Sequence, residues 1–490
     1  MKAICVYDDH TMPDVFIANI VGEKTFGDII LKRVSVRERF ESFYCSFGSR
    51  EELFIFDHGW NYENLKKSLK KAGQGRPVIH IFSSMIVRSE CAQQAEILFQ
   101  KAGFSAGNYI IKDPEGALIG FIMSNTGDYI DFLDETRDAL RNTETYRHFG
   151  FEFSEMESTA FYDLSVYSNF RNFITGGFDT RFFNSVSGDE YVVKKTSKDK
   201  EKIKKEYDFY HLLPDSMKPW FVMPYDYEET QDSASYSMKR YHMADLALRF
   251  VHGAIDMKEF DKLMEILFCF LKNRSSKKIS VQEYNKNADS LYLTKVRDRI
   301  ALLKNHPGYD RLCRLSGKTG DEYIDSLVLR YEKLYSQTAD INGAEAESVI
   351  GHGDLCFSNI LFEKNTELMM LIDPKGASSA DEMWTDPCYD IAKLSHSICG
   401  RYDFFNNGLY RFDIDDDLES VLEIDFDNSG YVKIFRDCLE KNGISFRKIR
   451  IYEVSLFLSM LPLHMDYPKK VFAFMKNAEK IMDDLEGDNK

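Results

Sequence analysis

The sequence predicts a multidomain protein of mixed class, an α/β domain followed by an α+β domain with a small β-rich lobe and a large helical lobe. Three observations predict it. At 490 residues the chain is too long for one ordinary core. To about residue 125, short apolar runs alternate with stretches of helical spacing. Near Phe170 a β-rich stretch begins, and from Met243 onward helical spacing dominates. The expected divisions are residues 1–145, 146–242 and 243–490.

In the first division, Ala3–Tyr7, Leu53–Phe56 and Val78–Phe82 read as buried strands, being short, apolar and partly β-branched. Asn61–Ala72 and Ser89–Ala102 carry helical spacing, the latter with Ala92, Ala95, Leu98 and Phe99 on one face. Asp113-Pro-Glu-Gly116 is a turn between strands Tyr109–Ile111 and Leu118–Met123. A charged helical segment from Asp128 to about Arg147 leads out of the domain. In the second division, Phe173–Ser185 and Glu190–Lys195 read as strands about a Ser187-Gly188-Asp189 turn. A helix over 200–213 and strands near Trp220 and Ser235 follow. The third division is expected to be helical, broken by one hairpin around 348–373.

Composition narrows the function. Hydrophobic residues are 44% and charged residues 29%, a globular balance with no run that would span a membrane. Asp8 and Asp9 stand where a signal peptide needs its apolar run, which predicts a cytosolic protein. Nine cysteines, an odd number without a C-x-x-C pair, suit reduced packing thiols. A formal charge of −16 repels a nucleic-acid backbone, although a nucleotide needs only a local cation and a metal ion.

The chemistry concentrates in residues 349–376, VIGHGDLCFSNILFEKNTELMMLIDPKG. Phosphoryl transfer needs a carboxylate to orient the attacking hydroxyl and oxygen ligands for magnesium. Asp354 and Asn359 stand five apart in a loop after His352, the Asp-to-Asn spacing of the kinase catalytic loop. Asn359–Phe362 and Leu368–Ile372 read as a hairpin that returns Asp373 beside Asn359. Together these predict Asp354 as base, Asn359 and Asp373 as metal ligands, and ATP with Mg2+ as cofactors.

Upstream, alternation in Tyr191-Val192-Val193-Lys194 puts Val192 and Lys194 on one face, the arrangement of a V-A-I-K strand, so Lys194 is preferred over Lys195 as the phosphate-binding lysine. Glu206 lies near the apolar stripe of the next helix, where its carboxylate needs a cation such as Lys194. Gly176 and Gly177 form the candidate phosphate-covering turn. Ser237-Met238-Lys239-Arg240-Tyr241 occupies the place of an adenine-binding hinge, making Met238 and Tyr241 candidates. Asp386 reads as a helix N-cap with Pro387 at the first helical position. Asp390 is expected to tie that helix to the catalytic loop, and His396 to be a hydrogen-bonded core histidine.

With these residues in view, positions 165–470 resemble the aminoglycoside phosphotransferase and choline kinase superfamily, through H-G-D-x-x-x-x-N followed by I-D-P. IDPKG followed by DPCYDIAKLSHSICGRYDF looks like phosphotransferases of bacterial capsule and surface-polysaccharide clusters. The resemblance implies a bilobal protein-kinase-like domain and an ATP-dependent kinase acting on a hydroxyl of a small molecule, such as a sugar derivative. It implies His352 as a structural residue, and Lys375 and Arg401 as contacts to substrate. Some such proteins carry a sugar nucleotidyltransferase domain in front. Here Tyr7-Asp8-Asp9-His10 follows the first strand in place of G-x-G-x-R, so the N-terminal domain reads as Rossmann-like or degenerate nucleotidyltransferase-like. Competing readings are a pseudokinase scaffold, a choline or amino-alcohol kinase, a protein kinase and a bifunctional enzyme. Self-association and complexes with capsule-pathway enzymes are compatible with all of them.

Overall fold

The computed structural model describes residues 2–57, 62–73, 75–136, 140, 150–174, 184–188, 191–315, 320–338, 346–414 and 420–487. The chain divides into two compact units, Met1–Thr180 with His252–Ala254, and Arg181–Val251 with Ile255–Lys490.

The first unit is built on a six-stranded sheet of β1 (Ile4–Asp8), β2 (Leu53–Phe56), β3 (Val78–Phe82), β4 (Asn108–Lys112), β5 (Leu118–Met123) and β6 (Phe153–Glu157), in the order β2-β1-β3-β5-β4-β6. β1 runs parallel to β2 and β3, whereas β5 is antiparallel to β3 and β4. All five residues of β1 and of β3 are buried, as expected of strands covered on both faces. The helices are α1 (Val15–Val21), α2 (Val36–Cys45), α3 (Tyr62–Ala72), α4 (Ala92–Ala102), α5 (Thr126–Thr136) and α6 (Tyr167–Ile174). Ser35 starts α2 with a capping box, its hydroxyl accepting from Glu38 N while Glu38 returns to Ser35 N.

Two expectations are corrected here. The first unit does not end at 145, because β6 pairs in parallel with β4 and extends the same sheet. FSEME is too polar to read as a sheet member, and its pairing is a backbone affair at an edge. Nor does a strand begin at Phe173. Phe170 and Phe173 lie three apart on α6, and both are buried. Residues 175–183, with Gly176 and Gly177, lie outside the described residues.

The second unit opens with an antiparallel sheet of β7 (Asn184–Gly188), β8 (Val192–Ser197), β9 (Pro224–Glu229) and β10 (Ala234–Lys239), in the order β7-β8-β10-β9. The chain near Trp220 is a single 3-10 turn, Lys218–Trp220, that contains Pro219; the strand starts four residues later. Helix α7 (Lys200–Leu212) is capped by Asp199 and buries Ile203, Glu206 and Phe209 along one stripe. The remainder is mainly helical, including α8 (Met257–Lys272), α9 (Tyr389–Ile398), α10 (Phe446–Met460) and α11 (Pro468–Gly487). The hairpin of β11 (Ile360–Glu363) and β12 (Leu368–Leu371) interrupts it. It is not the sole interruption. Ala244–Asp245 pairs with β11, Ser276–Lys278 and Trp384–Thr385 flank Glu347–Ile350, and Arg411–Ile414 pairs with Ser420–Glu423. Strands this short are held by distant partners and leave no periodicity to read. Among the described residues no helix is long and apolar enough to cross a membrane.

The buried carboxyl of Asp403 is expected to make the stability of this unit pH-dependent. Asp403 is about 1% exposed, and its pKa is pushed up to about 7 by burial, which outweighs the opposing Ser397 hydrogen bond and is reinforced by nearby Asp245. A carboxyl with a raised folded pKa binds its proton more tightly folded than unfolded. Its contribution is therefore present below the ordinary carboxylate range and lost as pH rises towards about 7. Asp403→Asn should stabilise the protein at pH 8 by on the order of a few kcal/mol, with the gain shrinking towards zero near pH 4. Denaturant unfolding across that range tests this; a gain independent of pH would contradict it.

Candidate active site

The site lies in the second unit, on the loop that joins Glu347–Ile350 to β11. Gly351 and Gly353 shape the loop. A Cβ on Gly351 would lie 2.4 Å from Thr385 Cγ2, and Gly353 has φ of +79° with Lys375 Cβ 2.6 Å from where its own Cβ would stand. Asp390, fully buried on α9, holds the turn from beneath. Its Oδ2 accepts from His352 N at 2.9 Å, and its Oδ1 accepts from Gly353 N at 2.8 Å. Arg274 Nη1 donates to the same carboxylate at 2.9 Å, which offsets the cost of burying the charge. Asp390 thus accepts from three donors, two on the loop's backbone and one on Arg274.

His352 is oriented from both sides. Nε2 donates to Ile372 O at 2.9 Å, Nδ1 accepts from Asp354 N at 3.2 Å, and the ring stacks on Phe221. Burial outweighs the neighbouring carboxylates and lowers its pKa, so the ring is neutral and fits this single tautomer. The ring thus joins the loop to the residue after β12.

Asp354 faces Lys393 of α9, with Nζ 2.9 Å from Oδ1. Burial opposes ionisation, but the ammonium outweighs it and holds the carboxyl below its ordinary range. Asn359 donates from Nδ2 to Asp354 O at 2.8 Å and approaches Oδ2 at 3.3 Å. With its nitrogen so engaged, the amide keeps its oxygen as an acceptor. Asn359 O also accepts from Ile372 N at 3.1 Å, which brings the hairpin's end alongside. Asp373 follows in a left-handed conformation, φ +54°, and its side chain is 40% exposed. One amide oxygen and one exposed carboxylate are hard donors of the kind magnesium takes, with phosphate and water completing the shell. Among the described residues no group of three or more His, Cys, Asp or Glu could hold a metal by itself.

The lysine of β8 corrects the expected register. Lys195, and not Lys194, points into the site: Nζ lies 2.7 Å from Glu206 Oε2 and 2.9 Å from Asp373 Oδ1. Lys194 turns outward to Glu228 at 2.6 Å on the exposed face. In a strand the side-chain period is two, so a one-residue error exchanges every inward and outward side chain. The Lys195 and Glu206 side chains are 5% and 3% exposed, and Tyr236 donates to Glu206 Oε2 at 3.0 Å. Burial disfavours the ammonium, but Asp373 and Glu206 outweigh it and raise the Lys195 pKa. Gly376 permits this closure, because a Cβ there would meet Lys205 C and Glu206 N of α7 within 2.9 Å, and Ala377 N donates to Lys205 O.

The remaining candidates divide. Met238, on β10, pairs with Val193 of β8, and Tyr241 lies under Lys239 Nζ at 5.2 Å, in the segment leading from the sheet to Ala244–Asp245 beside β11. Lys375 is exposed directly after the hairpin, and its N donates to His352 O. Arg401 is not brought to this loop; it reaches Ile424 O at 3.4 Å, and burial and Arg450 lower its pKa. Asp386 does not serve as the helix N-cap, since α9 begins at Tyr389; it accepts instead from Cys388 N and from Tyr292 OH. Among the described residues neither ring nitrogen of His396 has a hydrogen-bond partner; the ring is held by Tyr402 and Phe457. Sequence reasoning missed Arg274 and Tyr236, which no spacing marks. Lys393 stands three residues after Asp390, so the two project from nearby faces of α9, a spacing that could have signalled its link to the Asp354 loop.

No family model and no curated protein matches the chain. Among solved structures, the chain is similar to a thermostable mutant of aminoglycoside phosphotransferase APH(4)-Ia in ternary complex with AMP-PNP and hygromycin B. That match has 11% identity and a TM-score of 0.37, and covers 65% of this chain and 98% of the other. It is also similar to ADP-bound aminoglycoside phosphotransferase APH(2'')-Ib, at 15% identity and TM-score 0.36, covering 66% and 99%. A third is an aminoglycoside-3'-phosphotransferase of type VIII, at 12% identity and TM-score 0.32, covering 56% and 86%. At superpositions this loose, the chemistry of the site rests on its side-chain geometry.

Proposed function

We propose that the second unit is an ATP- and magnesium-dependent phosphotransferase acting on a hydroxyl of a small molecule. The observation that carries this reading is the convergence of Lys195, Glu206 and Asp373 on one side of the hairpin with Asp354 and Asn359 on the other. Asn359 and Asp373 would hold magnesium, which neutralises charge on the phosphates and on the leaving oxygen. Lys195 would contact the phosphates, kept in place by Glu206 and Tyr236. Asp354 orients the acceptor hydroxyl and takes its proton as the new O–P bond forms and the bond to the diphosphate breaks. His352, Asp390 and Arg274 keep that loop rigid, so little reorganisation accompanies the step.

Lys393 beside Asp354, and Lys375 exposed nearby in sequence, favour an acceptor that is anionic or polyhydroxylated, such as a sugar derivative of the kind used in surface glycans. The decisive experiment combines purified protein, ATP, magnesium and a panel of sugars, sugar phosphates, aminoglycosides and choline, read by phosphorus NMR. A phosphomonoester product on one class is expected. Nucleotide binding without turnover on any acceptor would favour a scaffold instead, and phosphorylation of choline alone would remove the sugar reading.

A further inference from the structure

One turn of π-helix, Asp289–Thr294, runs into the helix Lys295–Lys304 in the second unit. Such wide turns are rare and recur at functional sites. Here the turn sets two side chains, three residues apart, against two residues three apart at the start of α9. Tyr292 donates from Oη to Asp386 Oδ1 at 3.1 Å, and Lys295 donates from Nζ to Tyr389 Oη at 3.0 Å. The first of these bonds is buried and fixes the register in which the second is made.

Tyr389 is about 4% exposed, and its hydroxyl accepts from Lys295 but, among the described residues, donates to nothing. A buried O–H without an acceptor is costly unless a ligand or water takes the proton. Lys295 is half-buried and, among the described residues, makes no ion pair. Its one hydrogen bond goes to the phenol, and its ammonium lies 5.4 Å from the centre of the same ring. An ammonium carries three protons, so two remain to be donated. Lys393 follows Tyr389 by four residues on the same face of α9 and pairs with Asp354 at 2.9 Å. Two ammonium groups thus stand with one carboxylate beside the acceptor's expected position, and the Asp354 side chain is 43% exposed, open to an incoming molecule. Burial opposes ionisation of the Tyr389 phenol, but Lys393 and Lys295 outweigh it and lower its pKa, which makes the hydroxyl a stronger donor.

We infer that Lys295 and Tyr389 bind an oxyanion carried by the acceptor, a carboxylate or a phosphate on the same molecule as the hydroxyl that meets Asp354. The acceptor class is then a hydroxylated anion, such as a uronic acid or a sugar phosphate, and not a neutral sugar or an amino sugar. The identity of the acceptor rests on the phosphotransferase reading; the anion site itself does not.

Calorimetric titration of the full chain with inorganic phosphate, glucuronate and glucose, with and without magnesium-AMP-PNP, tests it. With the nucleotide present, phosphate and glucuronate are expected to bind at about 1 mM or tighter, and glucose at least about tenfold more weakly. Lys295→Gln should weaken both anions about tenfold, as expected for loss of a charge-assisted bond, and Tyr389→Phe should weaken them by a smaller factor. Both variants should keep the parental unfolding temperature, since Lys295 gives up no ion pair and Phe retains the ring. Both should also bind magnesium-AMP-PNP as the parent does, because the lysine assigned to the phosphates bonds to Glu206 and Asp373 and to neither of these residues. Parental anion affinity in Lys295→Gln would overturn the proposal, as would glucose binding as tightly as glucuronate. So would the lack of saturation by either anion at about ten times the expected constant. If magnesium-AMP-PNP does not bind while Lys295→Gln still loses its anion affinity, the phosphotransferase reading falls and the anion site stands.

Discussion

Asp354→Asn is expected to reduce turnover by at least about a hundredfold while leaving affinity for magnesium-ATP nearly unchanged. The substitution keeps the shape that accepts the loop's hydrogen bonds but removes the charge that orients the acceptor hydroxyl and receives its proton. Nucleotide affinity should survive because, of the groups assigned to the phosphates, Lys195 bonds to both Asp373 and Glu206, and neither Lys195 nor Asp373 bonds to Asp354 among the described residues. A second consequence follows from Lys393, whose ammonium sits 2.9 Å from Asp354 in a pocket that leaves its side chain 14% exposed. The variant strands that cation, so some loss of stability should accompany the loss of rate. Thermal unfolding run beside the kinetics separates the two. Near-parental turnover in a folded variant would remove Asp354 from the mechanism.

Lys195→Met should have the largest effect on nucleotide affinity and a large one on folding. It leaves the Glu206 carboxylate buried without its cation, and breaking one side of such a pair typically costs about 3–5 kcal/mol. Affinity for magnesium-ATP should fall by more than about tenfold, a loss of the kind expected when a charged hydrogen bond is removed. Lys194→Met provides the contrast. Its pair with Glu228 is exposed on both sides, so its removal should cost within about 1 kcal/mol and hardly touch ATP. The double change Lys195→Met with Glu206→Gln separates stability from binding, since it relieves the stranded charge. It should regain much of the stability and none of the nucleotide affinity. Equal loss of affinity in the two single lysine variants would contradict the inward placement of Lys195.

These two variants also mark how far the sequence could be read. The order Asp354, Asn359, Asp373 was legible because a loop and a two-strand hairpin are local. Four residues out and four back return the chain to where it began, whatever the rest of the molecule does. The strands β2, β3 and β5 were legible for a similar reason, as short, mainly apolar runs. Edge strand β6 was not, since its polar alternation becomes a strand only because β4 offers it a backbone to pair with.

The inward face of β8 belongs to the same category. Both Lys194 and Lys195 satisfy local strand preference, and nothing within five residues of either decides between them. The choice is made by Glu206, eleven residues from Lys195, by Tyr236 on the neighbouring strand, and by Asp373, 178 residues from Lys195 along the chain. Arg274 under Asp390, across 116 residues, was equally beyond reach. By itself the sequence determined which chemical groups the 351–359 loop carries and the order in which they return through the hairpin, because backbone geometry over short spans leaves few alternatives. The tertiary structure alone decided which lysine faces them and which cations neutralise their buried carboxylates. A charge is stabilised inside a protein by whatever lies within a few ångströms, and that neighbourhood is set by packing, not by distance along the chain.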